Sequence, residues 1–283
     1  MPVAQTLPLT HALVLGVVQG LSEFLPVSSS GHLILVPWLF RWRELTADPD
    51  LNKTFDVALH IGTFVGAAAY FAPDLRRFAK AGISSIRRRS VETTDERLAW
   101  LLLLSSLPGA AFGATLENFI EDELGREWLV AVMLIAFGLV LAAADRATGK
   151  RGSDDFRLRD ALTMGVAQAL ALSPGVSRSG VTISAGRWLG FDRPAAARLS
   201  FLMSLPIIGG AGLYRGLKLL AEGGLPPGTG GAFLVGTAAS ALTGALAVWG
   251  VLRLVQTRSF TPFVVYRVLV GGAVLGLLAT GAR

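Results

Sequence analysis

The fold is decided by a polar stretch that lies inside an apolar segment. Residues 19–32 read QGLSEFLPVSSSGH and interrupt an apolar run that covers 11–40. Glu23, Pro26 and three consecutive serines leave an apolar arm on each side. Each arm is shorter than the about 20 residues that a helix needs to cross a bilayer. The stretch therefore predicts a helical hairpin that enters the membrane and returns to the same side.

A second interrupted segment lies 149 residues further along the chain. Residues 161–191 are apolar at both ends and are broken by SPGVSRSG at 173–180. At this offset, 16–31 and 165–180 are identical at eight of 16 positions, including a glutamine and the string V-S-x-S-G. Paired, interrupted apolar segments in corresponding halves indicate a site near the bilayer midplane. We predict one membrane domain, 1–283, made of two inverted repeats at approximately 1–145 and 150–283.

The rest of the chain has the composition of a membrane protein. Only 16% of its 283 residues are charged, against roughly 25% in soluble domains, and the mean hydropathy is +0.55. Six further apolar segments lie at 55–72, 98–116, 128–145, 195–215, 232–252 and 262–281. We therefore predict an all-α integral membrane protein with about six transmembrane helices and two re-entrant helical hairpins.

The charge distribution predicts the orientation and excludes some functions. Basic loops at 73–97 and 145–160 are expected in the cytoplasm, and the acidic loop at 117–127 is expected outside. The net charge of +6 lies in loops rather than in one stripe, so no nucleic-acid partner is expected. Because the chain has no cysteine, thiolate metal sites and cysteine nucleophiles are excluded.

The residues at the two breaks indicate binding of a phosphate-like anion. Both breaks place Ser-x-Ser-Gly before an apolar run, where the free N–H groups of a helix N-terminus attract anions; simple N-capping by the serines is the alternative. Glu23 and Arg178 are charged residues within membrane segments, which favours a functional role. His32 follows three serines and could activate one of them, whereas we interpret His11 and His60 as structural.

Both motifs resemble those of the undecaprenyl-diphosphate phosphatase family, integral membrane proteins associated with bacitracin resistance. Residues 19–32 resemble the family's [E/Q]-x-x-x-E motif with its serine loop and histidine, and PGVSRSGVT at 174–182 resembles its P-G-x-S-R-S-x-x-T motif. The resemblance implies hydrolysis of undecaprenyl diphosphate to undecaprenyl phosphate and inorganic phosphate, which recycles the cell-wall carrier lipid. It places the enzyme in the bacterial cytoplasmic (inner) membrane, with the active site open to the outer side.

The resemblance also implies site residues and a cofactor. The catalytic candidates are Glu23, Ser29, His32 and Arg178. The substrate-binding candidates are Gln19, Ser28, Ser30, Gly31, Ser177, Ser179 and Thr182. A divalent cation, Mg²⁺ or Ca²⁺, is expected with Glu23 as a ligand. Many family members have Glu at the position of Gln19, so the cation site of this chain has one carboxylate fewer.

Several mechanisms and partners agree with these residues. We expect Ser29 to attack phosphorus with His32 as its base, while Arg178 neutralises the phosphates; attack by a water that His32 or Glu23 activates is the alternative. Glu23 would hold the cation or orient His32. A transporter or flippase for polyprenyl phosphate is the alternative function. The expected partners are the lipid substrate and the bilayer, and the sequence leaves the oligomeric state open, a homodimer included.

Overall fold

Helices form almost all of the regular structure. The computed structural model describes residues 7–42, 49–221, 224–225 and 227–283, except for the side chains of 114 and 116–123. Within these ranges the chain forms helices and a single isolated β-bridge between Arg151 and Phe191. The predicted all-α class is confirmed.

The helices follow the predicted apolar segments closely. In the first half they are α1 Leu9–Phe24, α2 Ser29–Phe40, α3 Pro49–Tyr70, α4 Ala72–Arg88, α5 Thr94–Leu104, α6 Leu107–Leu124 and α7 Glu127–Asp145. In the second half a 3₁₀ turn, Ser153–Asp155, precedes α8 Leu158–Leu170, α9 Arg178–Trp188, α10 Arg193–Ala221, α11 Gly230–Leu254 and α12 Thr261–Ala279. Both interrupted segments are broken where the sequence predicts, between α1 and α2 and between α8 and α9.

Several helices are long and apolar enough to cross a membrane. Among the described residues these are α7, α10, α11 and α12, and the pair α3 and α4, bent by 82°, counts as a fifth if it is one span. The protein is therefore a helical, multi-pass membrane protein. The predicted number of about six spans is not confirmed, because the segment 98–116 does not form one continuous helix.

That segment is divided by a turn between α5 and α6. Pro108 lies in the first turn of α6, and it has no N–H to donate to the carbonyl of Leu104, the last residue of α5. Ser105 and Ser106 form the turn, and their hydroxyl groups donate to the carbonyl oxygen of Leu102 at 2.7 and 3.4 Å. Two shorter helices therefore replace the single predicted span.

Two segments that the sequence predicts as charged loops are largely helical. The basic loop at 73–97 contains α4, whose buried Phe78 and partly buried Leu75 face the core behind Phe71. This spacing of apolar residues is that of an amphipathic helix. A prediction based on charge assigns the segment to a loop because it contains a run of arginines. The acidic loop at 117–127 is helical up to Leu124, so α6 extends further than expected.

Small residues let α1, α3 and α11 approach each other closely. A Cβ atom at Gly20 of α1 would lie 2.6 Å from the carbonyl oxygen of Ser240 on α11, and one at Gly62 of α3 would lie 2.4 Å from that of Thr237. Ser240 also donates to the carbonyl of Leu59 at 2.7 Å. Small residues and interhelical hydrogen bonds hold helices together in membranes, and here they fix the first hairpin against α11.

The two hairpins meet beside α7. Both α2 and α9, the second arms of the hairpins, pack against this helix. A Cβ atom at Gly31 would lie 3.1 Å from the side chain of Val130, and one at Gly175 would lie 2.6 Å from the Val130 carbonyl oxygen. The two breaks are thus brought to the same level of the molecule, whereas the inverted orientation of the second repeat stays a prediction.

Candidate active site

The first break follows from local rules of helix formation. Leu25 precedes a proline and adopts an extended conformation with φ −63° and ψ 138°, which ends α1. The chain then reaches Ser28, whose φ of 77° is unusual for a residue other than glycine. The Ser28 hydroxyl accepts a hydrogen bond from the backbone N–H of Gly31 at 3.3 Å and so caps α2.

The second break repeats this backbone arrangement. Ser177 has a φ of 73°, and its hydroxyl accepts a hydrogen bond from the N–H of Gly180 at 3.1 Å. Gly175 precedes it with a φ of 92°, a region that favours glycine. The chain thus uses one capping geometry twice, and each copy starts a half-helix inside the protein.

Direct hydrogen bonds join the two breaks. The N–H of Gly175 donates to the Ser28 hydroxyl at 3.1 Å, so this serine caps its own helix and also binds the opposite break. In return, the Ser179 hydroxyl donates to the carbonyl of Leu25 at 3.0 Å. Ser28, Gly175 and Ser179 are buried and Leu25 is half-buried, and an unpaired polar group in a buried position would cost free energy. These bonds therefore hold the breaks at a fixed distance.

Glu23 lies at the centre of the site. Its side chain is only 5% exposed, and its Oε1 accepts hydrogen bonds from Arg178 Nη2 at 3.1 Å and Nε at 3.3 Å. Its Oε2 accepts from the Ser29 hydroxyl at 2.6 Å and from the Gln19 amide at 3.1 Å. One buried carboxylate therefore contacts a guanidinium, a hydroxyl group and an amide. Three of the predicted catalytic residues, Glu23, Ser29 and Arg178, meet here.

Arg178 belongs to the second break but points into the first. Besides the Glu23 carboxylate, its guanidinium donates to the Ser200 carbonyl oxygen on α10 at 3.1 Å. Its side chain is 13% exposed. Because both partners come from outside the α8–α9 hairpin, the orientation of this arginine depends on the packing of the whole domain.

His32 is placed differently from the expectation. Its Nδ1 lies 2.6 Å from the Ser28 carbonyl oxygen, and its Nε2 lies 2.8 Å from the hydroxyl of Tyr266 on α12. Both ring nitrogens are thus engaged, while the Ser29 hydroxyl donates to Glu23. The expected pairing of Ser29 with His32 is absent from this arrangement, and the partner of the Ser29 hydroxyl is the carboxylate of Glu23. The reason is local: Ser28 lies one turn before His32 on the same helix and takes up Nδ1.

His60 is a site residue that sequence reasoning interprets as structural. Its Nε2 lies 3.6 Å from Glu23 Oε2, and its Nδ1 donates to the Asp56 carbonyl at 2.7 Å. It lies on α3, in an apolar segment without a polar motif. The side chain is 33% exposed, so it joins the buried Glu23 carboxylate to the surface of the protein.

Arg267 on α12 is a second residue that the sequence analysis missed. Its side chain is fully buried. It donates to the carbonyl oxygens of Leu134, Pro26, Gly175, Val176 and Met133 at 2.8–3.3 Å. Three of these carbonyls belong to the two breaks, so this guanidinium ties both breaks to α7. Arg267 is an ionisable residue inside an apolar segment, and the rule that selects Glu23 would also have selected it.

Most of the predicted substrate-binding residues have structural partners in the site. Gln19 is fully buried and bonded to Glu23, and Ser30 is half-buried near the start of α2. Thr182 donates to the Arg178 carbonyl at 2.7 Å and shares a 2.6 Å hydrogen bond with the Ser200 hydroxyl. Ser28, Gly31, Ser177 and Ser179 form the caps and links described above. Their binding of substrate stays a prediction.

Comparison with known proteins supports the family resemblance of the two motifs and extends it to nearly the whole chain. The family described as bacitracin resistance protein BacA matches residues 12–273. The undecaprenyl-diphosphatase of Geobacter sulfurreducens is 49% identical over 270 residues, which cover 95% of this chain and 97% of the relative. That of Pelobacter propionicus is 47% identical over 275 residues (96% and 98%), and that of a Nocardioides species is 44% identical over 273 residues (96% and 97%). The chain belongs to the BacA family.

Proposed function

We propose that this protein hydrolyses undecaprenyl diphosphate to undecaprenyl phosphate and inorganic phosphate, and thereby recycles the carrier lipid of cell-wall synthesis. The observation that carries the proposal is the contact of Ser29 and Arg178 with the same buried carboxylate, Glu23, where the two helix breaks meet. The relatives are named as phosphatases of this lipid, so the transporter alternative is not favoured.

In the first step the Ser29 hydroxyl attacks the terminal phosphorus. Glu23 accepts its proton through the existing 2.6 Å hydrogen bond, as general-base activation of a hydroxyl nucleophile requires. The bond from this phosphorus to the bridging oxygen breaks, and undecaprenyl phosphate leaves with the electron pair. Ser29 then carries the phosphoryl group.

In the second step a water molecule attacks the phosphoryl-serine. His32 accepts the proton of this water, and the Ser29 oxygen leaves and recovers its proton from Glu23. Inorganic phosphate is released, and the two steps together consume one water for each diphosphate. This division gives each of the two bases one task, which agrees with their separate hydrogen-bond partners.

Positive groups stabilise the charge that develops on the phosphate oxygens. Arg178 lies within hydrogen-bonding distance of Glu23 and is placed to bind the phosphoryl group. Arg267 has carbonyl oxygens as its hydrogen-bond partners within the described residues, so no carboxylate neutralises it there. The N-termini of α2 and α9 add the partial positive charge of their free N–H groups. Such fixed, water-excluded groups are the main source of catalysis in phosphoryl transfer.

Gln19 and Glu23 are the residues that we propose to hold a divalent cation, Mg²⁺ or Ca²⁺. Among the described residues the buried Oε1 atom of Gln19 has no hydrogen-bond partner, and the Nε2 atom of the same amide donates to the Glu23 carboxylate. The described residues contain no group of three or more His, Asp or Glu side chains that could hold a metal. Mg²⁺ is commonly bound by one or two protein groups together with substrate phosphates, and these two oxygens fit that mode. The ion would neutralise phosphate charge.

We further propose that the protein lies in the bacterial inner membrane with the site open to the outer side. The support is the excess of arginine and lysine in 73–97 and 145–160, which favours a cytoplasmic position for both. In this cysteine-free chain, Gly125→Cys should react with an impermeant thiol reagent in intact cells, whereas Arg87→Cys, made separately, should react only after the membrane is opened. Reaction of Arg87→Cys in intact cells, or of Gly125→Cys only after opening, would contradict this orientation. The homodimer stays a prediction, which light scattering of purified protein would check.

The activity itself is tested with purified protein in detergent and undecaprenyl diphosphate as substrate. Phosphate should be released by the wild type and by Ser30→Ala, but not by Ser29→Ala. Detergent micelles have no second leaflet, so a transporter would show no turnover under these conditions. Absence of phosphate release from folded wild-type protein, with and without added Mg²⁺ or Ca²⁺, would reject the proposed function.

A further inference from the structure

Tyr266 on α12 holds the second ring nitrogen of His32. Its hydroxyl lies 2.8 Å from His32 Nε2, and the two rings are nearly parallel, with centroids 5.6 Å apart and an angle of 14° between their planes. The imidazole is 7% exposed, whereas the tyrosine is 43% exposed and turns its hydroxyl inward. The hydroxyl is therefore directed at the buried histidine from the outer edge of the site.

The partners of the two ring nitrogens fix the tautomer of His32. A carbonyl oxygen can only accept a hydrogen bond, so the 2.6 Å contact with Ser28 requires the proton on Nδ1. In the neutral ring Nε2 then has a lone pair, and the Tyr266 hydroxyl donates to it. Nδ1 is closed by the Ser28 carbonyl, so Nε2 is the nitrogen through which His32 exchanges protons.

The neighbouring residue fixes Tyr266 in place. Successive residues of an α-helix project about 100° apart, so Tyr266 reaches His32 while Arg267 reaches the two breaks. Arg267 is bonded to the carbonyl oxygens of Pro26, Gly175 and Val176 at 2.8–3.2 Å. These bonds hold α12 in position relative to the two breaks, and they therefore also position the hydroxyl of Tyr266, the neighbouring residue on the same helix.

We propose that Tyr266 is the proton-transfer partner of His32 in the second step of the reaction, an inference that rests on the proposed function. When water attacks the phosphoryl-serine, the Tyr266 hydroxyl passes its proton to Nε2 and receives the proton that the water releases. The phenol is neutral before and after this exchange. Because a hydroxyl both donates and accepts, it then accepts a hydrogen bond from the protonated Nε2 and holds the ring in both states.

Tyr266→Phe removes the hydroxyl and keeps the ring that packs against His32. Because His32 Nε2 loses one hydrogen bond, we expect kcat to fall roughly tenfold. The KM for undecaprenyl diphosphate should stay within about twofold of the wild type. Tyr214→Phe is the matched control, since this tyrosine is 64% exposed on α10. The control should retain wild-type kcat.

A double-mutant cycle shows whether the hydroxyl acts through His32. His32→Ala alone should lower kcat by about 10²–10⁴-fold. If Tyr266 acts through this ring, Tyr266→Phe added to His32→Ala should change kcat by less than twofold. A further tenfold loss in the double variant would show that Tyr266 contributes independently, and it would overturn the proposal.

A measurement on the wild type covers the case in which Tyr266→Phe does not fold. The chain has three histidines, so protein labelled with ¹⁵N-histidine gives a small set of ring signals, which His32→Ala assigns. The proposal requires the proton of His32 on Nδ1, and a ring protonated on Nε2 alone would reject it. If the wild type releases phosphate but Tyr266→Phe retains full kcat, the inference on Tyr266 fails and the phosphatase assignment remains.

Discussion

The two helix breaks share one backbone geometry but carry different side chains. In each, a serine with a φ of 77° or 73° caps the following half-helix through the N–H three residues later. The first break carries Glu23, Ser29 and His32. At the same offset, the second has Leu172, Arg178 and Val181 in their places. The backbone arrangement is thus present twice and the reactive groups only once.

This difference shows how a repeated fold yields a single site. Serine caps and glycines are needed wherever a helix starts inside the protein, because its first N–H groups require partners. The proposed reaction needs one carboxylate and one nucleophile, and a second buried carboxylate without a positive group beside it would be costly. The second break instead contributes the positive charge: the guanidinium of Arg178 pairs with Glu23 across the interface between the breaks.

The largest effect is expected when Ser29, the proposed nucleophile of the first break, is removed. Ser29→Ala should lower kcat by at least about 10³-fold, as removal of a nucleophile does in other hydrolases. Phosphate release from undecaprenyl diphosphate measures it. Ser30→Ala, the matched control one residue away, should stay within tenfold of the wild type. A Ser29→Ala protein with near wild-type turnover would end the covalent mechanism and favour direct attack by water.

A smaller loss of activity is expected when Arg178 of the second break is replaced by a residue with the same charge but a different shape. Arg178→Lys loses the planar guanidinium, which donates to Glu23 and to Ser200 at the same time. We expect kcat to fall at least tenfold while expression and membrane insertion are unchanged. Turnover close to that of the wild type would show that a single positive charge is sufficient at this position.

The two caps allow the shared geometry to be compared directly in stability. Ser28 accepts hydrogen bonds from Gly31 and from Gly175 of the other break, whereas both hydroxyl partners of Ser177, the Gly180 N–H and the Ser179 hydroxyl at 3.3 Å, belong to its own break. An N-cap serine replaced by alanine costs roughly 1 kcal/mol at either cap. Ser28→Ala also leaves the buried N–H of Gly175 without its partner, at a cost of about 1–3 kcal/mol, whereas in Ser177→Ala the Ser179 hydroxyl keeps its bond to the Leu25 carbonyl. Denaturant unfolding in detergent should therefore show Ser28→Ala to be more destabilising than Ser177→Ala. Equal losses would contradict the link between the breaks.

The smallest effect concerns the glutamine that both segments share. Gln19 lies four residues before Glu23, whereas Gln168 lies four residues before Leu172. Gln19→Glu should keep activity within about threefold and make it more dependent on divalent cation, because hard cations prefer carboxylate ligands. Activity as a function of Mg²⁺ concentration after chelation measures this dependence.

Gln168→Glu is the matched control for that experiment, since it places the same new carboxylate in the other half of the molecule. The new carboxylate is buried four residues before an apolar residue, so it should lower the stability of the protein but leave the cation dependence of the folded variant unchanged. An equal response to Mg²⁺ in both variants would separate the cation from the Gln19–Glu23 pair.

The sequence by itself determined the helical membrane class, the two breaks and the polar residues that meet where the breaks come together. These features are local: Pro26 ends α1 because it lacks an N–H group, and Ser28 and Ser177 cap helices that start within three residues of them. A charge within an apolar segment is visible at once, and Glu23 and Arg178 were identified in this way. The amphipathic α4 and the turn before Pro108 also have local causes, which the charge pattern and the hydropathy conceal.

The tertiary structure alone decided which groups act on each other. Glu23 and Arg178 are 155 residues apart, and His32 and Tyr266 are 234 residues apart. Both contacts depend on how α12, α7 and the two breaks pack, through the close approach of small residues and the carbonyl contacts of Arg267. The sequence therefore assigned His32 to Ser29 by proximity, whereas packing gave Ser29 to Glu23 and His32 to Tyr266. A hydrogen bond forms between groups that are close in space. The sequence determines which groups are close only within about one turn of a helix, and packing determines the rest.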